Sequence, residues 1–387
     1  MFYDRDLSFI YYGPTRIVFG INSSRDIQAE IEALGCRRAV LVTDPGITKA
    51  GLLDRVVKSL GPGCAGVFSD VPQDTGIEVV NAGAAYARKC GADAVVSLGG
   101  GSVIDTAKGM CVLMKEGGKL EDFEGVQLLT RWQTPHVVIP TTAGTGSEVT
   151  CMAVVLDKRK GQKIFLLENY NTPRTAILDP ALTEKLPPLL TASTGMDAMC
   201  HAVEALHSIQ REPITDGIAM HAIRLLVRNL PICVNNGSDL AARGQMQIAA
   251  TMAGWAFNNS MVSIVHAMAH SIGAVAGVPH GIANGILLPF GMEYNLPEAA
   301  ESYALAAEAL GTREKGMGEI EAAESAIRAV REFTVRIRHP QRLSEAGVSR
   351  DQLAQAAELS VSDGAIIWNP RPVPDSSDVL ELFQKAF

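Results

Sequence analysis

Between Arg243 and Glu293 the chain carries no Asp, Glu, Lys or Arg. A stretch that long without a formal charge belongs to an interior, and the question is which interior. A lipid bilayer is one candidate, but Asn258-Asn259-Ser260, His266, His270, Gly277 and Pro279 interrupt the run. Each polar group would need a partner inside hydrocarbon. Buried helices at the centre of a globular domain satisfy both facts, because apolar residues recur at helical spacing from Thr194 onward. No membrane partner is expected.

The first half has a different rhythm. Short β-branched runs alternate with helical stretches, the pattern of a parallel sheet covered by helices. Arg38–Asp44, Asp93–Leu98 and His136–Pro140 read as strands, each ending in a Gly, Pro or Asp that opens a loop. Ligand loops should therefore gather at one edge of the sheet. The rhythm changes at Pro187-Pro188. The expected fold is an α/β domain over residues 1–187 followed by an all-helical domain over 188–387. No repeat or low-complexity linker separates them, so the two are expected to pack closely across a cleft.

Composition excludes several classes. Apolar residues make up 47% and charged residues 20%, far from the signature of disorder. A net charge of −8 and 5% aromatics provide neither a basic footprint nor stacking platforms, so nucleic acid is not an expected partner. Seven cysteines include no C-x-x-C pair, and an odd number in a chain this long argues for reduced thiols. The opening Met1–Asp6 lacks a basic segment leading into an apolar one, so a cytoplasmic address is expected.

Two loops carry the first chemical signal. The strand ending at Leu98 runs into Gly99-Gly100-Gly101-Ser102, and Val103–Lys108 reads as the first turns of a helix. Glycines let a phosphate approach the backbone, and the helix start supplies free N–H groups and a positive dipole end. The G-x-G-x-x-G fingerprint is absent, so an ordinary glycine turn is the plain alternative for this loop alone. A second hydroxyl- and glycine-rich loop, Thr141 to Glu148, follows Pro140, and two such loops can surround a diphosphate and its ribose. Asp44 ends an earlier strand, where a carboxylate accepts from ribose hydroxyls and repels a 2′-phosphate. NAD rather than NADP is the expected cofactor, the alternative for Asp44 being a surface turn.

The second signal is a set of spaced ligands. Asp197 and His201 are four apart on a predicted helix, as are His266 and His270, and His280 follows in Pro279-His280-Gly281. Imidazoles in an apolar helix need partners for their nitrogens, and a shared cation with a carboxylate supplies one. One carboxylate and three imidazoles suit Fe²⁺, Zn²⁺ or a similar first-row ion better than Mg²⁺ or Ca²⁺. The expected ligands are Asp197, His201, His266 and His280. His270 is left either to support the ligands from behind or for proton transfer, because five ligands would leave no position for substrate.

Together these residues resemble the iron-containing (group III) alcohol dehydrogenases, which include lactaldehyde reductases, 1,3-propanediol dehydrogenases and bacillary methanol dehydrogenases. The resemblance rests on Gly99 to Ser102 with Asp105 and Lys108, on Thr141 to Glu148, on Ile177-Leu178-Asp179 through Asp197 to Glu204, and on His266 to Gly281. It implies a dehydroquinate-synthase-like architecture: an α/β dinucleotide-binding domain over residues 1–187, an all-helical metal- and substrate-binding domain over 188–387, and a metal between them. It also implies cofactor contacts from Asp44, Gly99, Gly100, Gly101, Ser102, Thr141, Thr142, Thr145, Lys163 and Leu182. Two departures stand out. Pro72-Gln73-Asp74-Thr75 replaces a frequent Pro-Asn-Pro-Thr, which bears on the adenine side, and Trp368 precedes Asn369-Pro370-Arg371 where relatives carry a small residue.

The expected reaction is direct hydride transfer between NAD and a small alcohol or aldehyde whose oxygen is polarised by the cation, with His270 exchanging the proton. The chargeless stretch offers no cation for an anionic substrate, so uncharged alcohols, diols and aldehydes fit best. Trp255, Phe257 and Met261 are candidate walls, with core packing as the alternative. Arg371 is the one basic residue that would contradict this if it reached the pocket. A homo-oligomer, dimeric or larger, is expected. The rival enzyme class is a dehydroquinate-synthase-type lyase using NAD and a metal without net redox change. A metal-stabilised scaffold is the non-catalytic rival, and it leaves both glycine loops unexplained.

Overall fold

The computed structural model describes residues 7–159 and 162–387. The opening Met1–Asp6, on which the reading of a missing leader rests, lies outside the described residues.

Residues 13–185 together with 238–247 form one compact unit. Its main sheet is built from β1 (Arg16–Phe19), β2 (Ala39–Val42), β3 (Cys64–Phe68), β4 (Ala94–Gly99), β6 (His136–Pro140) and β9 (Thr175–Leu178), in the order β1-β9-β6-β4-β2-β3. All five pairings are parallel. The three expected strands fall at β2, β4 and β6, whose residues are all buried, as continuous apolar runs in a doubly covered sheet require. Alternation sends Val40, Val42 and Val95 into one core and Ala39, Leu41, Ala94 and Val96 into the other. Helices α1 (Ile27–Ala33), α2 (Pro45–Lys49), α3 (Leu52–Leu60), α4 (Ile77–Lys89) and α5 (Gly101–Glu116) make the crossovers. A smaller sheet adds β5 (Gly125–Val126), β7 (Met152–Asp157) and β8 (Gln162–Leu167), with β7 and β8 antiparallel.

The chain leaves β2 for β3 on one side and returns with β4 on the other. The β2/β4 pair is therefore the switch point of the sheet, and open α/β sheets bind ligands outside the carboxyl ends of such a pair. Thr43-Asp44 and the Gly99–Ser102 loop lie at those ends.

Residues 7–12, 186–237 and 248–387 form the other unit. It contains α6 (Pro188–His207), α7 (Pro213–Asn235), α8 (Leu240–Ser260, from residue 248), α9 (Ile264–Ala276), α10 (His280–Leu310), α11 (Glu319–Arg336), α12 (Gln352–Ser360) and α13 (Ser376–Ala386). No strand follows Leu178 among the described residues, as the change of rhythm implied. The chargeless stretch becomes α8, α9 and the first turns of α10, where Val265–Ala269 and Ala283–Leu288 are buried. Among the described residues, α7 is the helix long and apolar enough to cross a membrane, and it is partly buried here.

Residues 238–247 join the α/β unit through specific contacts. Gln247 Nε2 donates to the Pro140 carbonyl at 3.2 Å, and Gly244 sits against Phe19 and Pro180, where a Cβ would come within 2.9 Å of the Phe19 ring.

Candidate functional site

In the α/β unit the two loops face each other. The glycine run begins on the buried end of β4, and α5 starts at Gly101 with Gly100 as its cap residue. A Cβ on Gly101 would lie 3.0 Å from Thr145 Cγ2, and one on Gly100 would lie 3.4 Å from Thr142. Glycine is needed because the hydroxyl loop packs directly on the helix start. The Thr141 N–H donates to the Gly99 carbonyl at 3.0 Å, which fixes the loops edge to edge. Ser102 Oγ accepts from the Asp74 N–H at 3.3 Å.

Asp44 has a structural task as well. It is the N-cap of α2, with Oδ1 accepting from the Ile47 N–H at 2.9 Å. One carboxylate oxygen is thus committed to the turn. Lys163, on β8, forms a 2.9 Å ion pair with Asp74. Leu182, in a 3₁₀ turn after β9, is 3% exposed and packs into the sheet core, so any contact it makes with a cofactor runs through its backbone. Asp105 and Lys108 are structural pins: buried Lys108 Nζ donates to the Met152 carbonyl at 2.6 Å and to Thr150 Oγ1 at 3.1 Å, and Asp105 Oδ2 accepts from the Val154 N–H at 3.1 Å. Burial pushes the Lys108 ammonium down and the Asp105 carboxyl up, each opposed by the other's charge.

In the helical unit the spaced ligands converge. Asp197, His201 and His266 are buried, and their candidate ligand atoms lie within 4.8 Å of one another. His280, the first residue of α10, borders them with Nε2 3.4 Å from Asp197 Oδ1 and is partly exposed. His201 and His266 stack at 4.7 Å between centroids, and Phe257 covers the other face of His201 at 4.1 Å. Burial opposes ionisation of Asp197, but its polar neighbours, His201 first and the Asn284 amide among them, outweigh it and hold the carboxyl below its usual range. Burial and the neighbouring His201 push His266 well below the usual imidazole range, leaving it neutral, as a ligand must be.

Asn284, one turn into α10, was not legible as a site residue. Its amide nitrogen lies 2.7 Å from Asp197 Oδ1, 3.2 Å from His266 Nε2 and 3.1 Å from His280 Nε2. Three acceptors turned on a nitrogen that bears two hydrogens leave a surplus lone pair. His201 Nδ1 is likewise buried without a hydrogen-bond partner. A carboxylate and several imidazoles with unspent lone pairs around one point fit a first-row divalent cation.

His270 stands beside this group, stacked on His280 at 5.3 Å between centroids and edge-on to His266 at 5.9 Å. Its Nδ1 lies 2.9 Å from Asp363 Oδ2. The other oxygen of Asp363 caps the 3₁₀ turn Gly364–Trp368 by accepting from the Ala365 N–H. Sequence reasoning missed Asp363, which carries no local pattern tying it to His270. Arg371 donates to the Tyr294 carbonyl at 2.8 Å and lies over the Tyr294 ring at 4.2 Å, so its guanidinium is already engaged. Of the candidate walls, Phe257 touches the site directly.

A family model described as iron-containing alcohol dehydrogenase matches residues 14–180, and one described as the C-terminal part of the Fe-containing alcohol dehydrogenase family matches residues 191–387. A 1,3-propanediol dehydrogenase of Klebsiella pneumoniae is 38% identical over 386 residues, covering 98% of this chain and 99% of its own. An NAD-dependent methanol dehydrogenase of Bacillus methanolicus is 34% identical over 378 residues, covering 97% and 99%. Among solved structures, a 1,3-propanediol oxidoreductase superposes with a TM-score of 0.94 at 38% identity, covering 98% of this chain and 100% of that one. These relatives are dehydrogenases, which does not favour the lyase reading.

Proposed function

Because this chain belongs to the iron-containing alcohol dehydrogenase family and is an NAD-dependent alcohol dehydrogenase or aldehyde reductase, we propose that its substrates are small uncharged alcohols, diols or aldehydes and that its metal ligands are Asp197, His201, His266 and His280. The observation that carries the ligand set is the gathering of Asp197, His201 and His266 within 4.8 Å in the interior of the helical unit. When bound, Fe²⁺, or Zn²⁺ in its place, supplies Lewis-acid polarisation of the substrate oxygen, and NAD supplies the hydride acceptor.

The chain's own residues do the rest. Gly99, Gly100, Gly101 and Ser102 with Thr141, Thr142 and Thr145 hold the pyrophosphate and ribose, with Lys163 and the Leu182 backbone beside them. Asp44 selects NAD through the oxygen that the turn does not use. Residues 1–187 thereby serve the dinucleotide, and 188–387 serve the metal and substrate. Phe257 supplies an apolar wall, and the engagement of Arg371 with Tyr294 supports an uncharged substrate.

His270 exchanges the proton. Asp363 Oδ2 accepts from Nδ1–H, which orients the ring with Nε2 as its second proton-carrying atom. His270→Ala is expected to lower kcat about 10²–10⁴-fold with a changed pH profile; unaltered kcat and profile would remove the role. We also infer a cytoplasmic homo-oligomer. The free thiols of all seven cysteines and the edge strand β1, with Phe19 and the following Ile21 exposed, support it, and sedimentation and cell fractionation test it.

The deciding assay is NADH oxidation by the anaerobically Fe²⁺-loaded protein against aldehydes of increasing length, repeated with Zn²⁺. Turnover of short uncharged aldehydes is expected. Preference for an anionic aldehyde would overturn the substrate class.

A further inference from the structure

Glu204 is outside the proposed ligand set, yet it is fully buried. It follows Asp197 by seven residues and His201 by three on α6, so all three share one helix face. Its carboxylate reaches α9. Oε2 pairs with His266 Nδ1, while Oε1 accepts from Ser263 Oγ at 2.9 Å, from the Val265 N–H at 2.8 Å and from the His266 N–H at 3.4 Å. The two backbone donors belong to the first turn of α9, whose N–H groups have no partner within the helix. Behind Ser263 the contacts continue: its Oγ lies 2.6 Å from His207 Nε2, and Tyr303 Oη lies 2.8 Å from His207 Nδ1. All of these side chains are buried.

Hydrogen accounting gives this chain one direction. A carboxylate only accepts. Ser263 therefore gives its hydrogen to Glu204, and its oxygen accepts from His207 Nε2–H. His207 Nδ1 is then bare and accepts from the Tyr303 hydroxyl. On the other side, ionised Glu204 accepts from His266 Nδ1–H through Oε2, which leaves the lone pair on Nε2. That is the nitrogen facing Asp197 and Asn284.

We propose that Glu204 is a positioning residue that selects the tautomer of His266 and holds the ring with Nε2 presented to the cation, its carboxylate fixed in turn by Ser263, His207 and Tyr303. The proposal rests on the reading of His266 as a ligand. Carboxylates that accept from the second nitrogen of a ligating imidazole raise metal affinity by fixing ring and tautomer.

Glu204→Gln keeps the size and exchanges one acceptor for an amide NH₂. Ser263 and the α9 backbone claim its remaining oxygen, so the NH₂ meets His266 Nδ1 and the imidazole hydrogen moves to Nε2. The experiment measures Zn²⁺ affinity of the full chain by chelator competition, together with the ¹⁵N shifts of the His266 ring in metal-free protein. Glu204→Gln is expected to weaken Zn²⁺ binding about 10–100-fold, with the hydrogen on Nε2, and His266→Ala to weaken it more. Parent-like binding by Glu204→Gln alongside loss in His266→Ala would overturn the role of Glu204 and leave the ligand set standing. Parent-like binding by both would overturn the ligand reading, and this proposal with it. Should Glu204→Gln not fold, Ser263→Ala serves, with a several-fold loss of Zn²⁺ affinity expected and an unchanged affinity overturning the proposal.

Discussion

Buried imidazoles outside the proposed ligand set, His136, His207 and His339, make this protein acid-sensitive, since burial pushes each of them down. His136, on β6, contacts Ser97 Oγ at 2.8 Å, and burial, aided by the Lys108 charge, pushes it down to about 3. Burial pushes His207 down to about 4 against the pull of Glu204. In the unfolded chain all three return to about 6.5. Below that pH the unfolded state binds protons that the folded state refuses, so stability present above about pH 6.5 is lost as the pH falls toward the folded values. Denaturant midpoints should be level from pH 7 to 8 and decline below 6.5, and His136→Gln should flatten part of that decline; an unchanged slope would assign the loss elsewhere. Asp44 gives a second prediction at this scale. Asp44→Ala should raise kcat/KM with NADPH relative to NADH by about tenfold or more, the worth of one charge-assisted contact of about 1.5–3 kcal/mol. It should also cost about 1 kcal/mol of stability through the lost cap of α2.

Three helices carry the proposed metal ligands, and their close approach has a visible cause. A Cβ on Gly281 would stand 2.8 Å from the carbonyl carbon of Ser193 on α6, nearer still to its oxygen, so only glycine lets the first turn of α10 lie against that backbone. His280 precedes it, and the approach brings Nε2 to Asp197. Gly281→Ala should cost about 1–3 kcal/mol of stability, as overpacking does, and weaken metal binding, both read from thermal melts with and without Zn²⁺. Full metal affinity in this variant would mean that His280 does not depend on the contact. The His-Gly pair was visible in the sequence as a motif, but its reason was not. The obstacle is a backbone carbonyl on a helix about ninety residues away.

Across the whole molecule, a cation bound only by the folded state adds stability by mass action, about 2.7 kcal/mol at a free concentration one hundred times Kd. Chelation should lower the Tm, Fe²⁺ or Zn²⁺ should restore it, and Asp197→Ala should abolish the response while leaving the metal-free Tm little changed. A metal-independent melt of the parent chain would contradict the proposed site. At this scale much was legible. The change from β to helical rhythm near Pro187, the glycine run after β4 and the four-residue spacings of Asp197 with His201 and His266 with His270 are covalent patterns, and periodicity carries them.

The sequence alone determined which residues could share a strand face or a helix face, because those relations follow from the repeat of one element. Only the tertiary structure decided that Glu204 meets His266 across 62 residues, that Asn284 stands among the ligand atoms, and that Asp363 meets His270 across 93. Those meetings depend on how separate helices cross, and crossing is set by the shapes of packed side chains. No spacing along the chain encodes it.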